Sequence, residues 1–560
     1  MYAMKNKKIL LLTSLSIFCT QSTELFAQKD TSGDNVYIIV PTNPSLSEGR
    51  KLEMLPNTTR NTRQNLPIFT FKTLDKFSQT GKEISVFPPV TFFPEHKQVL
   101  PNGLAQLGYG NLNAITGNII FNNFSNPNNA YGGKYSHYST NIPKSNKDFS
   151  RNEAGAFAKI FSGKEEFGVA FDFARDVLHY YNLPDSVVNY SKRDITRYME
   201  QWNVNTYYKF GNINYVGKKP YFRTDAGFQR FNMSNYVYEN SFQVKGHMRM
   251  EHESFIKEGE TMPLDIKLST NIDQLRYWEA AKYSRYFVWF TANEEATFEV
   301  GGKKLTANVG FNFDVFGDSL EPKAYITPNI SLKIPLIEKK VVLLLGTDGG
   351  YEKQGLQTLY GMNPFLQERP ELKNKFTSFR GFGSLEANVA PGTVFMIEGS
   401  SAQIANFPLF VGSDDPFRRF AIKYDNGIYS YISIGANYNL GDKLWLNLTG
   451  KYNNYQMETE EEAWLYPDFE VKLSTHYTMS KKLFTHLDVI ALGNRTAIDQ
   501  NLNKITLKPL VDVNLGADYI LKNGFLVFIQ LNNLAGTMYQ RWYQFPVYGF
   551  NATAGVGYRF

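Results

Sequence analysis

Histidine and acidic side chains are the residues of this chain whose spacing could support catalysis or metal binding. Among seven histidines, the closest pair is His247 and His252, five residues apart and therefore on opposite faces of a strand, which disfavours a shared metal ion. His486 and Asp488 share one face of a predicted strand, and Asp512 lies on the neighbouring predicted strand. A histidine beside a carboxylate can act as a general base, but ordinary polar residues on a wet face give the same pattern. The sequence contains no Gly-x-Ser-x-Gly or His-Glu-x-x-His motif beside this polar cluster. We therefore predict no enzyme, no cofactor and no metal site.

A second group that could bind a cation is the acidic run Glu458, Glu460, Glu461 and Glu462, on a predicted surface loop. Carboxylates suit hard cations, so calcium bridging to surface lipids is one interpretation. The other is a solvated, flexible loop, which we expect because clustered like charges repel one another and stay hydrated.

The composition is that of a folded protein that does not bind nucleic acid. The 560 residues are 42% hydrophobic and 15% aromatic, which excludes wholesale disorder. The mean hydropathy is −0.35, and the longest later aliphatic run, 341–345, is far shorter than the roughly 20 residues of a membrane helix. The formal charge of +6 leaves no basic footprint for a nucleic acid.

Residues 1–27 form a predicted signal peptide. Three lysines precede an apolar stretch at 9–19, and Ala27 precedes the cleavage point. Cys19 is the only cysteine and would leave with the signal, so we expect no disulfide and no thiolate metal site in the exported chain.

Residues 28–102 form a predicted proline-rich segment. Eight of the 24 prolines lie there, and proline at that density interrupts helices and central strands. We expect an extended periplasmic or lumen-lining segment with short strand-like pieces such as 84–87.

From residue 103 to residue 560, apolar side chains alternate with polar ones along segments of about ten residues. The stretch 511–519 is typical, since its apolar face carries Val511, Val513, Leu515, Ala517 and Tyr519. The opposite face is charged or glycine-rich along nearly every segment, as expected when one face meets lipid and the other a wet lumen. The pattern predicts an all-β, antiparallel transmembrane barrel, the outer-membrane architecture of Gram-negative bacteria.

The connections between these segments alternate between short and long. Hairpin chemistry such as Asn-Gly, Pro-Gly and Gly-Gly marks the short turns. The long loops are predicted at 354–374, 405–427, 454–464, 493–505 and 533–549. Short periplasmic turns and long extracellular loops are typical of outer-membrane barrels, and the count gives about 22 strands, within a range of 18–22.

Large aromatic residues cluster near the predicted strand ends. We interpret them as interfacial girdles, with sugar or peptide contacts from loop aromatics as the alternative. They are Tyr424, Tyr429, Tyr431, Trp445, Tyr452, Trp464, Tyr466, Trp542 and Tyr543.

The final residues form an amphipathic strand that ends in an aromatic side chain. Val556, Tyr558 and Phe560 lie on its apolar face. A terminal Phe on that face resembles the recognition signal of the barrel assembly machinery, which we therefore expect as a partner beside outer-membrane lipid.

Several motifs together resemble a known family. Asn532-Asn533-Leu534, Tyr539-Gln540-Arg541-Trp542 and the stretch 545–560 look like the end of TonB-dependent-receptor barrels, and Asn363-Pro364-Phe365-Leu366 looks like a plug-less branch of them. The resemblance covers roughly residues 100 to 560, is strongest in the last 40, and implies a barrel of 22 strands. Receptors of that family carry a folded plug of well over a hundred residues, whereas here only 28–102 precede the barrel. Residues 34–40 loosely resemble a TonB-contacting box, but an edge strand is the expected interpretation, so TonB dependence stays open.

Two functions follow from this reading. The first is a solute-binding or transport barrel gated by its N-terminal segment or by a partner. The alternative is a structural subunit of an outer-membrane protein complex. An unplugged barrel of this size would leak solutes, so the N-terminal segment, inward-folded loops or another envelope protein must close it.

Overall fold

A computed structural model describes residues 102–560, apart from short stretches in the connections. The gaps are 124–125, 127, 144–145, 182, 184–189, 212–219, 234–236, 278–280, 318–321, 414–416, 442, 500 and 502. The predicted signal peptide and nearly all of segment 28–102 therefore lie outside the described residues. Within the described part, no helix is long and apolar enough to cross a lipid bilayer.

The described chain is almost entirely β-structure. Its two short helices are α1 (Lys192–Ile195) and α2 (Leu356–Met362). Its strands are β1 Gly103–Gly110, β2 Ala114–Asn123, β3 Asn129–Thr140, β4 Phe149–Ser162, β5 Glu165–His179, β6 Thr196–Phe210, β7 Tyr221–Met233, β8 Val237–Glu253, β9 Thr261–Tyr277, β10 Ala281–Val300, β11 Lys303–Gly317, β12 Pro322–Ile337, β13 Val341–Glu352, β14 Lys375–Ala390, β15 Thr393–Gly412, β16 Phe420–Leu440, β17 Leu444–Met457, β18 Phe469–Thr478, β19 Leu483–Leu492, β20 Arg495–Ile498, β21 Lys504–Leu507, β22 Leu510–Ile520, β23 Phe525–Asn532, β24 Gln540–Trp542, β25 Phe545–Pro546 and β26 Asn551–Arg559.

Twenty-two of these strands form one closed antiparallel barrel, as the sequence predicts. Each strand pairs with its neighbour in the chain, and β26 pairs with β1 to close the ring. The backbones of Gly103 and Phe560 exchange hydrogen bonds of 3.0 and 3.2 Å at that closure. The remaining strands form two small hairpins, β20–β21 and β24–β25, inside long loops.

Apolar side chains cover the outside of the barrel. On β22, Val511, Leu515 and Tyr519 point outward and are exposed, whereas Asp512 points inward and accepts a hydrogen bond of 2.6 Å from the Tyr539 hydroxyl. A closed barrel is required because lipid offers no hydrogen-bond partner to an unpaired strand edge. This apolar outer surface on a closed ladder makes the chain an integral barrel of the bacterial outer membrane.

The two ends of the barrel carry different connections. One end, here called the turn end, has tight turns such as Gly301–Gly302 and Pro391–Gly392, as predicted, and both Gly302 and Gly392 adopt the positive φ that such turns require. The other end, here called the loop end, carries the long connections that contain α1, α2 and the two small hairpins.

The prediction of a long loop over 405–427 is wrong. β15 continues to Gly412 and β16 begins at Phe420, so two paired strands rise beyond their neighbours at the loop end. A bulge between Ile404 and Phe407 shifts the register, which breaks the simple alternation on which the sequence prediction relied.

Candidate functional site: the cap over the lumen

The long connections at the loop end share one apolar core. Buried side chains enter it from β5 to β9, from the β13–β14 connection, from β15 and β16, and from the connections after β17, β19 and β23. We call the described residues of these connections the loop cap; they lie within 180–195, 353–374, 413–419, 458–468, 493–509 and 533–550. The connections thus pack on one another rather than projecting separately into solvent.

Contacts in the loop cap cross the barrel. Tyr180 precedes β6 and Phe417 precedes β16, ten strands apart in a ring of 22, yet their rings stack with centroids 6.3 Å apart. Phe365 stacks on Phe545 at 3.9 Å and lies 6.4 Å from Tyr180. Side chains from opposite walls therefore meet over the lumen and cover its mouth.

Residues 353–374, here called the central loop, make most of these crossings. Leu356, Leu359 and Tyr360 of α2 are at most 1% exposed, and Leu366 pairs with Phe420 in an isolated β-bridge. Burial raises the pKa of the Tyr360 hydroxyl well above its ordinary value, so the hydroxyl stays protonated and donates to the carbonyl of Gln367.

An ionic cluster on the barrel wall holds the start of the central loop. The Lys353 ammonium lies 2.6 Å from Asp273 and 3.4 Å from Glu239. Arg285 contacts Asp273 at 3.0 Å and also donates to the carbonyl of Gln354 at 2.9 Å. Glu239 accepts a hydrogen bond of 2.6 Å from the backbone N–H of Leu356, at the start of α2. Two acids and two bases thus balance one another where the wall strands β8 to β10 meet the loop.

Arg197 on β6 holds the other half of the central loop. Its guanidinium donates to the carbonyls of Pro364 and Leu366, at 3.2 and 2.5 Å. It also lies 5.0 Å from the ring of Tyr180 and 5.1 Å from that of Tyr360, a cation–π geometry. The side chain is 1% exposed, so this anchor is part of the interior of the cap.

Similar buried polar groups bind the other loops. Arg495 donates to the carbonyls of Lys508, Gln540 and Arg541, which joins the β19–β22 connection to the β23–β26 connection. Asp425 on β16 accepts from the backbone N–H groups of Thr459 and Glu460, which fixes the β17–β18 connection. These buried groups thus tie the backbones of three cap loops to other elements.

The predicted polar cluster shares the lumen face but does not form one unit. The rings of His486 and His476 lie side by side, with centroids 6.3 Å apart. Asp488 accepts a hydrogen bond of 2.6 Å from the Ser474 hydroxyl, and Asp512 accepts one from the Tyr539 hydroxyl. No hydrogen bond joins His486 to either aspartate among the bonds found in the described chain. Within the same ranges, no group of three or more histidine, cysteine or acidic residues is placed to hold a metal ion.

The acidic run at 458–462 is solvated in part, as expected, and also makes polar contacts with neighbouring elements. Glu458 accepts a hydrogen bond of 3.0 Å from the Asn426 side chain, and Glu460 accepts one of 2.6 Å from the Trp464 indole. Lys504 forms ion pairs with Glu461 and Glu462. These contacts join the run to neighbouring elements of the cap, while the Glu461 side chain stays 74% exposed to solvent.

The girdle interpretation is wrong for most of the predicted aromatic residues. Trp464, Trp542 and Tyr429 are at most 8% exposed and pack inside the loop end. Trp445 faces the lumen beside His476, and Tyr452, 55% exposed, fits the outer surface. The missed signal was the density of apolar residues in segments that would otherwise be solvated loops.

Val556, Tyr558 and Phe560 all point outward on the lipid side of β26, where they are 61%, 43% and 51% exposed. The ring of Tyr558 lies 4.9 Å from Phe525 and 6.4 Å from Phe560, so the three aromatic residues form a patch at the turn end.

Comparisons with known proteins place the fold among outer-membrane receptors. No protein-family model matches the chain, and no curated protein matches its sequence.

Solved structures do match: the ferripyoverdine receptor of Pseudomonas aeruginosa has a TM-score of 0.61 at 9% identity, over 83% of this chain and 73% of that one. The ferric-catecholate import receptor Fiu of Escherichia coli K12 has a TM-score of 0.59 at 8% identity, over 84% and 85%. The siderophore receptor PirA of Acinetobacter baumannii has a TM-score of 0.60 at 8% identity, over 83% and 81%. The chain thus shares its barrel fold with these outer-membrane receptors.

Proposed function

We propose that this chain is an outer-membrane transport barrel of the receptor type, with the loop cap as its outer gate and segment 28–102 or a partner as the gate of its turn end. The observation that carries the proposal is the shared apolar core of the loop cap, which joins opposite walls over the lumen. Barrels of 16 to 18 strands already leave an aqueous channel, so one of 22 strands needs such a closure. The receptor-like fold supports the same class, although the ligands named for those receptors belong to them.

The size of the core indicates which part of the cap can move. Exposing a buried Leu, Phe or Tyr costs about 1.5–3 kcal/mol, so separating the whole core would cost tens of kcal/mol. The central loop alone contributes five such side chains, Leu356, Leu359, Tyr360, Phe365 and Leu366, or about 8–15 kcal/mol. We therefore propose that the central loop is the movable part and that solute binding or an energising partner, with TonB as one candidate, supplies that free energy.

Conductance in planar bilayers tests the gate. In a chain without residues 28–102, which removes the proposed gate of the turn end, Leu359→Asp places a charge in the core of the cap, where the side chain has 0% exposure, so we expect it to conduct at least about tenfold more than the same chain with Leu359. Leu521→Asp is the matched control, since Leu521 lies at the turn end and is 43% exposed. A wild-type chain that conducts like an open pore, or a Leu359→Asp chain without residues 28–102 that stays closed, contradicts the proposed gate.

Purification from native membranes separates transport from the alternative of a structural subunit. A transport barrel should be recovered with any partner in variable amounts, and solute passage should follow the state of the cap. A stoichiometric envelope partner, together with a Leu359→Asp chain that keeps the complex intact and passes no solute, would favour the structural subunit.

We further propose that Val556, Tyr558 and Phe560 form the signal that the barrel assembly machinery reads. Their outward placement leaves them accessible before insertion. Phe560→Asp should reduce the membrane level of the folded barrel several-fold without reducing export, whereas Phe550→Asp, at an exposed position of the loop end, should not. Normal membrane levels of Phe560→Asp would contradict the signal.

A further inference from the structure

The barrel wall near its closure carries an apolar groove on the lumen side. Leu104, Ile120, Leu526 and Phe528 face inward from β1, β2 and β23, and we call them the seam groove. Their chain neighbours Val527 and Ile529 face outward and are exposed, which fixes the facing. The ring of Phe528 lies directly over Gly108 and Gly555, where any Cβ atom would collide with it.

The seam groove differs from the charged parts of the lumen wall and lies apart from the aromatic cluster of Phe287, Tyr351 and Phe376. Elsewhere that wall carries ion pairs such as Arg151 with Asp176 and Arg380 with Asp348, as expected for a wet surface. The four groove side chains are only 4–6% exposed. Leu104, Leu526 and Phe528 form a cluster of their own, apart from the core of the loop cap, and no further apolar side chain of the described residues packs on it.

Two buried polar atoms beside the groove point to a hydrogen-bonding occupant. Thr116 and Asn118 lie on the inward face of β2, opposite Gly108 and Gln106, and are 1% and 2% exposed. The Thr116 hydroxyl and the Asn118 side-chain carbonyl have no partner among the described residues. Leaving such groups buried and unsatisfied costs about 1–3 kcal/mol each, which a polypeptide backbone could offset and an acyl chain could not.

The chain enters the barrel at the foot of this groove. Asn102 lies two residues before Leu104. Its carbonyl accepts a hydrogen bond of 2.7 Å from the backbone N–H of Asn122. The preceding stretch, 83–101, carries Val86, Phe87, Phe92, Phe93, Val99 and Leu100, with four prolines among them. Proline-rich extended chain has no internal hydrogen bonds, so its backbone groups are free to bind Thr116 and Asn118.

We infer that the seam groove is the docking site of residues 83–101 of the same chain. The inward-facing rows of Leu104 and Phe528 are about 13 Å apart along the wall, and nineteen extended residues span up to about 60 Å. Val99 and Leu100 therefore reach Leu104, and Phe92 and Phe93 reach Phe528. The inference builds on the proposed gating by segment 28–102, but its test reads contact rather than conductance, so the two can fail separately.

Photo-crosslinking in the full-length chain tests the inference. The photoreactive residue p-benzoylphenylalanine at Gln106 faces the groove, and at the adjacent Leu107, 63% exposed, it faces lipid. We expect the Gln106 position to give an intramolecular product that maps to 83–101 and the Leu107 position to give none. A Gln106 product that maps to another protein or to lipid, or equal products at both positions, would overturn the inference.

Limited proteolysis provides an independent measurement. Lys97 is a trypsin site within the proposed occupant. Phe528→Ala should raise cleavage there several-fold, while Phe525→Ala, an outward position that is 54% exposed, should leave the rate unchanged. Heat-modifiable mobility confirms that both variants still form barrels. Equal cleavage rates in both variants and the wild-type chain would contradict the inference.

Discussion

The loop end and the turn end of this barrel belong to the same strands, but among the described residues only the connections of the loop end meet over the lumen. At the loop end, connections from opposite walls share one apolar core and are tied by buried Arg197, Arg285 and Arg495. At the turn end, most neighbouring strands are joined by short turns, and the described turns share no such core. The difference shows that closure depends on the length and polarity of the connections rather than on the barrel itself.

Strand length follows the same division. β15 and β16 have 20 and 21 residues and rise into the cap, whereas β1 and β23 have eight each. The tall wall supplies Phe410 and Phe420 to the cap core, and the short wall carries the seam groove. The longest strands and the seam groove therefore lie on different parts of the barrel wall.

The comparison of the two ends requires that alternate residues of each wall strand point to lipid and to the lumen as described. Leu448→Arg places a charge on the lipid side of β17, near the bilayer midplane, and should lower the free energy of unfolding by about 2–4 kcal/mol. Thr449→Arg, on the lumen side of the adjacent residue, should change it far less. Urea unfolding in detergent or vesicles measures both, and equal losses would contradict the assigned facing.

Removing one base from the ionic cluster should loosen the loop end alone. Lys353→Met leaves Asp273 and Glu239 with only Arg285, a loss of about 2–3 kcal/mol in the local stability of the central loop. Amide hydrogen exchange in α2 should then be about 30- to 150-fold faster. The double variant Lys353→Met, Glu239→Gln should recover part of that protection, because it balances the charges again. Unchanged exchange in α2 would show that the cluster does not hold the loop.

Removing a hydrogen bond that joins two loops should lower the free energy of unfolding by a smaller amount. The Tyr548 hydroxyl is hydrogen-bonded to the Lys147 carbonyl and to Thr140, and Tyr548→Phe should cost about 0.5–1.5 kcal/mol. Burial raises the pKa of Tyr548 to about 12, above the ordinary value of 10. Because the protonated form is favoured in the folded state, this contribution should be constant below pH 10 and decline between pH 10 and 12. A cost that declines near neutral pH would contradict the assignment.

The smallest effect is expected at the turn end. Lys481 is exposed in the turn between β18 and β19, and Lys481→Ala should change the free energy of unfolding by less than about 0.5 kcal/mol. The conductance should also match that of the wild-type chain. A large change in either quantity would mean that the turns carry a shared structure like that of the loops.

The sequence predicts the barrel wall much better than the cap. Alternation within one strand, as in 511–519, depends on the local contrast between lipid and lumen and can be read residue by residue. The ionic cluster joins Lys353 to Asp273, 80 residues apart in the chain, and nothing local marks that pairing. The sequence predicts membrane girdles for Trp464 and Trp542, because an aromatic residue at a strand end suits both an interface and a buried loop. The packing of the loops over the lumen depends on contacts among several loops at once, and no single stretch of sequence marks those contacts.

The pairing of Gly103 with Phe560 has a consequence for biogenesis. The ring of Phe560 covers Gly103 so closely that any side chain at residue 103 would collide with it, and the ladder closes only when β26 reaches β1. A ribosome or translocon that releases the chain from its N-terminus delivers the two halves of this joint at the beginning and at the end of the process. The ring of strands therefore cannot close until the roughly 450 residues between Gly103 and Phe560 have all been exported.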